Sequence, residues 1–226
     1  MAMIINSCPG DKVFVSWSGG KDAYLSLLLA QEMGLNIACL LSFVGADGNS
    51  RSHGLKTELL RRQAALLGIP LETREVEWDN YEAGFEEAVN QLKHELGVSG
   101  GVFGDINLVE HQEWIEKMCQ RCKIAYNLPL WLMEERAVSE ELIKRGGKAL
   151  IVAIRSDLVD QKWLGTVMDA DYIEYCLKTG ISPCGEGGEA HTLVVDGPLF
   201  SEPFKYLTGK VWQQDKLSFI EILVPG

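Results

Sequence analysis

The first 130 or so residues alternate short apolar runs with amphipathic stretches, and no other feature constrains the fold as strongly. Residues 12–17, 36–43, 71–76 and 101–106 read as strands, and 22–33, 56–67, 81–96 and 110–125 read as helices. In the third helical stretch Tyr81, Phe85, Ala88, Val89 and Leu92 recur at helical spacing, while Gly68 and Pro70 punctuate the end of the second. Strands that alternate with helices pair in parallel, because each helix serves as the crossover that returns the chain to the same edge. The pattern therefore predicts an α/β fold with a doubly wound parallel sheet and helices on both faces. Pro129, Leu130 and Trp131 are expected to form a short fifth strand.

After Met133 the rhythm changes. A helix running to Arg145 is followed by a strand at 149–154, an irregular stretch at 163–165, a helix at 170–179, and three strands of hairpin type at 192–195, 207–213 and 217–224. We expect two domains, 1–133 and 134–226, the second smaller and of α+β type. The 226 residues suffice for this, and a 46% hydrophobic content allows a proper core in each. Surface strands in the smaller domain would allow a homodimer.

The segment with the most chemistry is Ser18, Gly19, Gly20, Lys21, Asp22 and Ala23, placed between a predicted strand and a predicted helix. Two glycines let the backbone turn with no Cβ in the way, so successive N–H groups and the helix N-terminus can point at an anion. Lys21 adds a positive charge and Ser18 a hydroxyl, which suits a pyrophosphate group. The spacing is not that of a Walker A loop or of a dinucleotide-binding fingerprint. A second polar cluster runs from Cys184 to Thr192: Glu186, Glu189, His191 and Thr192 lie within seven residues, among Gly185, Gly187 and Gly188. Carboxylates, an imidazole and a hydroxyl so close together can orient a nucleophile, hold an ion or move a proton.

The first segment resembles the PP-loop of N-type ATP pyrophosphatases, which cleave ATP to AMP and pyrophosphate. With the Gly-Glu-x-Gly-Glu-x-His-Thr element at 185–192, the chain resembles the diphthine:ammonia ligase family over most of its length. His53 with Gly54, the Gly104–Asp105–Ile106 segment, 129–131 and 163–165 carry the same likeness. Two positions depart from the pattern. Ala23 stands where the PP-loop has serine, which removes one hydroxyl contact to phosphate, and Ala190 stands where an aromatic residue is frequent.

The resemblance implies a HUP-like fold, with five parallel strands in the order 3-2-1-4-5 and nucleotide bound at the switch point between strands one and four. It implies that ATP and magnesium are used, that a carboxylate is activated as an acyl-adenylate, and that ammonium is the nitrogen source; in the family the acceptor is diphthine on translation elongation factor two. The residues implied for nucleotide binding are Ser16, Ser18, Gly19, Gly20, Lys21, Asp22, Ser42, Gly104 and Asp105, with 41–43 beside the adenine. Asp22 and Asp105 would hold the metal. Lys21, Asp22, Glu186, Glu189 and His191 would carry the chemistry, and His53 and Thr192 the acceptor.

Other features narrow the partners. Thirty-two acidic against 21 basic side chains give a net charge of −11, which repels a nucleic-acid backbone. No apolar stretch is long enough to span a bilayer and the N-terminus lacks a signal-peptide pattern, so a cytoplasmic protein is expected. Cys119 and Cys122 form a Cys-x-x-Cys pair, but they share helical spacing with Ile115 and Met118 and read as core thiols. Two other functions remain open on sequence: a PP-loop enzyme that thiolates tRNA, and a non-catalytic adenine-nucleotide sensor.

Overall fold

The computed structural model describes residues 3–50 and 54–225. They divide into two compact units. The first runs to Met133 except for Gly19–Lys21, which pack with the second unit, Glu134 onward.

In the first unit the elements are β1 (Ile4–Ile5), β2 (Lys12–Ser16), α1 (Lys21–Glu32), β3 (Asn36–Val44), α2 (Thr57–Leu67), β4 (Leu71–Glu75), α3 (Tyr81–Leu96), β5 (Gly100–Val102), α4 (Val109–Cys122) and β6 (Ala125–Leu128). The sheet order is β1-β6-β5-β2-β3-β4, parallel from β4 to β6. Counted from β2, this is the expected 3-2-1-4-5 order with one strand added at the edge. That strand, β1, pairs antiparallel with β6 through Ile4 and Leu128, and is too short to show any periodicity. A fully buried side chain holds it. The Asn127 oxygen accepts from the backbone N–H groups of Asn6 and Ser7, both at 3.0 Å, and its amide donates to Ser7 Oγ and the Gly101 carbonyl.

The fifth parallel strand lies at Ala125–Leu128 and not at Pro129–Trp131. Helix α4 stops at Cys122 because Lys123 takes a left-handed conformation, φ 52°, which frees the next residues to pair with β5. Pro129 has no N–H for a ladder, and the chain turns there, with Trp131 N–H donating to the Leu128 carbonyl at 3.2 Å.

Between the sheet and helices α3 and α4 sits a core of Phe14, Phe85, Phe103, Ile115, Met118, Cys119 and Cys122. Phe103 meets Phe14 edge-on at 5.7 Å and stacks on Phe85 at 6.5 Å, contacts worth about 0.5–1.5 kcal/mol each beyond the area they bury. On α2, Leu59, Leu60, Ala64 and Leu66 are buried and Gly68, at φ 65°, caps the C-terminus.

The second unit holds α5 (Glu135–Lys144), β7 (Lys148–Arg155), a 3-10 turn at Gln161–Trp163, α6 (Ala170–Thr179), β8 (Ala190–Asp196), β9 (Leu207–Gln214) and β10 (Leu217–Leu223). Its sheet is antiparallel in the order β8-β7-β10-β9. Asp169 caps α6, its carboxylate accepting from Tyr172 N–H at 3.0 Å. Among the described residues, no helix is long and apolar enough to cross a membrane.

Candidate active site

In the first unit β2 ends at Ser16. Trp17 continues its pairing, with the N–H donating to the Leu41 carbonyl at 2.8 Å, and its buried indole donates to Gln63 at 3.2 Å. These bonds fix the point at which the chain leaves the sheet and turns into α1. Gly104, two residues beyond β5, lies against the start of that helix. A Cβ at Gly104 would stand 3.0 Å from the carbonyl carbon of Asp22 and 3.1 Å from the nitrogen of Ala23, so only glycine lets the two backbones meet without a shift. The switch point between β2 and β5 thus brings Asp22 and Gly104 together. The next residue, Asp105, turns to α4, its Oδ1 3.0 Å from Nδ1 of His111. Its negative charge and, above all, burial push the Tyr81 hydroxyl up to about 12. Neither His111 nor Tyr81 has a sequence neighbourhood that marks it as part of a site; both are found only once the sheet order is known.

The glycine turn belongs with the second unit, and strand β8 holds it. Val194 N–H donates to the Gly19 carbonyl at 2.9 Å, the Lys21 N–H donates to Thr192 Oγ1 at 3.1 Å, and Lys21 Nζ donates to the Cys184 carbonyl at 2.5 Å. Lys21 and Thr192 are both buried, at 4% and 5% exposure. Cys184 is itself positioned by α5: its thiol contacts the Glu135 carbonyl at 2.9 Å and Ser139 Oγ at 3.4 Å, and Ser139 Oγ also donates to the Pro183 carbonyl. Gly185 follows at φ 72°, where a Cβ would come within 2.4 Å of the Ala190 carbonyl oxygen, so the turn that places Cys184 requires glycine.

β8 is irregular where it meets the turn. Thr192 pairs with Ile151 and His191 with Ala153, so β7 carries one extra residue, Val152, at this point. Such a bulge rotates the flanking side chains and is common beside functional sites. Burial, and then the charge of Lys21, push the His191 imidazole below its ordinary value, so it is neutral at neutral pH. It can accept a proton or a hydrogen bond, and it adds no charge beside Lys21.

The structure thus brings Lys21, His191 and Thr192 together in one unit, and Asp22, Gly104 and Asp105 in the other. Ser16 and Ser18 are half-buried at the end of β2, and Ser42 is buried in β3. Glu186 is half-buried in the turn closed by the Gly188 N–H to Gly185 carbonyl bond, at 2.8 Å. Glu189 ends that turn, with one carboxylate oxygen buried and unpartnered. His53 lies outside the described residues. Burial pushes Cys119 up to about 12 and raises Cys122, so both thiols are inert core residues.

Sheet order and the strand–glycine turn–helix unit define an α/β protein of HUP-like type, with a helix N-terminus after the first parallel strand where anions are commonly bound. Residues 11–125 match the diphthamide synthase N-terminal domain and residues 130–222 the diphthamide synthase C-terminal domain. The chain is 26% identical over 210 residues to diphthine--ammonia ligase of Danio rerio, which covers 82% of this chain and 82% of that protein. It is 25% identical over 214 residues to the Homo sapiens protein of the same name, covering 82% and 79%. The chain belongs to the diphthamide synthase family. It is an ATP-dependent ligase that forms a carbon–nitrogen bond.

Proposed function

We propose that the chain activates a carboxylate by adenylation, releases pyrophosphate, and joins ammonia to the activated carbon with release of AMP, the acceptor being diphthine on translation elongation factor two. The names of the relatives support the acceptor and the nitrogen source. The observation that carries the mechanism is the placement of a buried lysine, at the end of a glycine turn, against the threonine and histidine of β8.

A carboxylate is a poor electrophile at neutral pH. Its oxygen attacks the α-phosphorus of ATP, pyrophosphate leaves with the bonding pair, and the resulting mixed anhydride has AMP as a good leaving group. Ammonia then attacks the carbonyl carbon, the bond to the AMP oxygen breaks, and an amide remains. The protein has mainly to neutralise phosphate charge and hold the reacting groups in line. Lys21 and the loop amides at 18–20 would supply the first task, exchanging the Cys184 carbonyl for a phosphate oxygen when nucleotide binds. Glu186, Glu189, His191 and Thr192 would face the acceptor, with residues 1–133 chiefly responsible for nucleotide and 134–226 for acceptor.

Among the described residues no group of three or more His, Cys, Asp or Glu side chains is placed to hold a metal ion. Magnesium that arrives with ATP would keep phosphate oxygens and waters and would need only one or two carboxylates from the protein. Asp22 and Asp105 are those we propose, Asp105 already being tied by one oxygen to His111.

Incubation with magnesium, ATP labelled at the α-phosphate and ammonium, with and without diphthine-bearing elongation factor two, tests the proposal. Labelled AMP that requires both acceptor and ammonium, and that is lost in Lys21→Ala, is the expected result. AMP formation indifferent to this acceptor would reject diphthine, and ADP as the product would reject adenylation.

A further inference from the structure

Within the second unit Lys21 is held at two points: its backbone N–H donates to Thr192 Oγ1 at 3.1 Å, and its ammonium donates to the Cys184 carbonyl at 2.5 Å. A backbone carbonyl fixes a lysine only if the peptide that carries it is itself fixed. In a trans peptide the C=O of one residue and the N–H of the next point in opposite directions, so whatever holds the Gly185 N–H also aims the Cys184 carbonyl. Ser182 is that holder. Its Oγ accepts from the Cys184 N–H and from the Gly185 N–H, both at 3.1 Å, and its carbonyl accepts from the Gly185 N–H at 3.2 Å.

We propose that Ser182 is a positioning residue for ATP binding, one that aims the Cys184 carbonyl so that the Lys21 ammonium stands ready at the end of the glycine turn before nucleotide arrives, an assignment that rests on the reading of Lys21 as the phosphate ligand. The surroundings leave the peptides of this turn little room to rotate. Pro183 has a fixed φ, and its carbonyl accepts from Ser139 Oγ at 3.1 Å. The Cys184 thiol donates to the Glu135 carbonyl at 2.9 Å. On the other side Gly185 lies against Ala190, whose carbonyl oxygen a Cβ would meet at 2.4 Å. Ser139, Pro183 and Cys184 are all buried, so water offers these groups no alternative partner.

A carbonyl suits this task better than a charged partner would. Lys21 is 4% exposed, and a buried ammonium has to be hydrogen-bonded. A carboxylate in the same place would hold it by charge, and an incoming phosphate would have to overcome that attraction. A neutral carbonyl supplies the hydrogen bond and yields to a phosphate oxygen, whose charge makes the stronger one. Lysine also has a flexible stem that costs entropy to immobilise; with the ammonium already held, most of that ordering is done when the chain folds and not when ATP binds. Ser182, which lies outside the Cys184–Thr192 cluster, therefore acts on ATP affinity through Lys21.

Calorimetric binding of ATP to the whole protein tests this in a double-mutant cycle. Ser182→Ala should weaken ATP binding by about fivefold, the size of one lost hydrogen bond, and Ser182→Thr, which keeps the acceptor oxygen, should bind within about twofold of the wild type. In Lys21→Met, which itself binds ATP more weakly, adding Ser182→Ala should cost less than about a further twofold. In the ligase assay Ser182→Ala should raise the KM for ATP by the same factor and leave kcat and the KM for ammonium in place, as for a contact made equally in the ground and transition states. Ser139→Ala releases the Pro183 carbonyl from the other side of the turn and should show the same dependence on Lys21, so the test survives if Ser182→Ala folds poorly. An equal loss with and without Lys21 would make Ser182 a structural residue only, and wild-type affinity in Ser182→Ala would mean that the carbonyl needs no aiming; either result overturns the proposal and leaves Lys21 as the phosphate ligand. Unchanged ATP affinity in Lys21→Met alone would reject the reading of Lys21, and the positioning role with it.

Discussion

The backbone N–H of Lys21 donates to the side-chain oxygen of Thr192 at 3.1 Å, which holds the end of the glycine turn against strand β8 within the second unit. The bond lies in a dry place, with both residues about 5% exposed or less, and so depends on the shape of its acceptor. Thr192→Ser keeps the oxygen and should leave the KM for ATP near that of the wild type. Thr192→Val keeps the volume but leaves the N–H unpaired, and should destabilise the fold by about 1–3 kcal/mol and raise the KM for ATP. Urea denaturation and steady-state kinetics on the pair check this, and equal behaviour of Ser and Val would mean that the bond does not position the loop.

Gly104 makes a second demand on the same region. A methyl group there would meet the Asp22 backbone at 3.0 Å, and a helix backbone cannot swing aside as a flexible side chain can. Gly104→Ala should cost about 1–3 kcal/mol, as overpacking does elsewhere, and should weaken ATP binding by displacing the first turn of α1. Calorimetric binding of ATP alone, without acceptor, isolates the effect.

Much of this was legible beforehand, for a physical reason. The parallel strands of the first unit are buried and spaced by helices with a clear apolar side, so pattern alone gives their order of appearance, and crossover geometry restricts how they can be arranged. The glycines at 19, 20, 185 and 188 likewise advertise turns. What stayed hidden depends on backbone or on distant contacts. The edge strand at Ile4 and Ile5 rests on Asn127, more than 120 residues away. The Cys184 group that Lys21 Nζ meets is a carbonyl, which any residue could supply at position 184.

The cysteines supply a test of the buried thiols. Cys8 is exposed, whereas the other five are buried, and burial pushes Cys39 and Cys119 up to about 12. A thiol reacts as its thiolate, so a colorimetric thiol reagent at neutral pH should titrate one group quickly in the native protein and all six after denaturation. Rapid reaction at Cys119 or Cys122 would show that these thiols are available for chemistry after all.

His191 gives the fold a pH dependence whose sign can be worked out. Burial and Lys21 depress its folded value below the ordinary 6.5, so as pH falls past 6.5 the unfolded chain takes up a proton before the folded chain does. The contribution of His191 to stability is therefore present above that pH and is lost as pH falls through the depressed folded value. Replacing it with glutamine, which keeps a polar group but does not titrate, should flatten this part of the curve. Melting temperatures of the wild type and His191→Gln, compared between about pH 5 and 7.5, should converge or cross toward acid. Parallel curves would mean that His191 titrates as it does in the unfolded chain.

Ala23 tests the loop itself. It is 4% exposed in the first turn of α1, at the position where the PP-loop pattern has a serine. Ala23→Ser would add one hydroxyl where phosphate is proposed to bind. In the absence of nucleotide that hydroxyl is buried, so the fold should lose about 1–3 kcal/mol unless the hydroxyl bonds back to a carbonyl in the turn before it. With ATP present it can donate to a phosphate oxygen, and the KM for ATP should fall, by about fivefold for a contact of ~1 kcal/mol. The two effects have opposite signs, and this separates them from a general change in packing: a lower melting temperature alone, partly restored by ATP beyond the wild-type response, is the expected pattern. An ATP-induced shift no larger than that of the wild type would mean that the phosphates do not reach the first turn of α1.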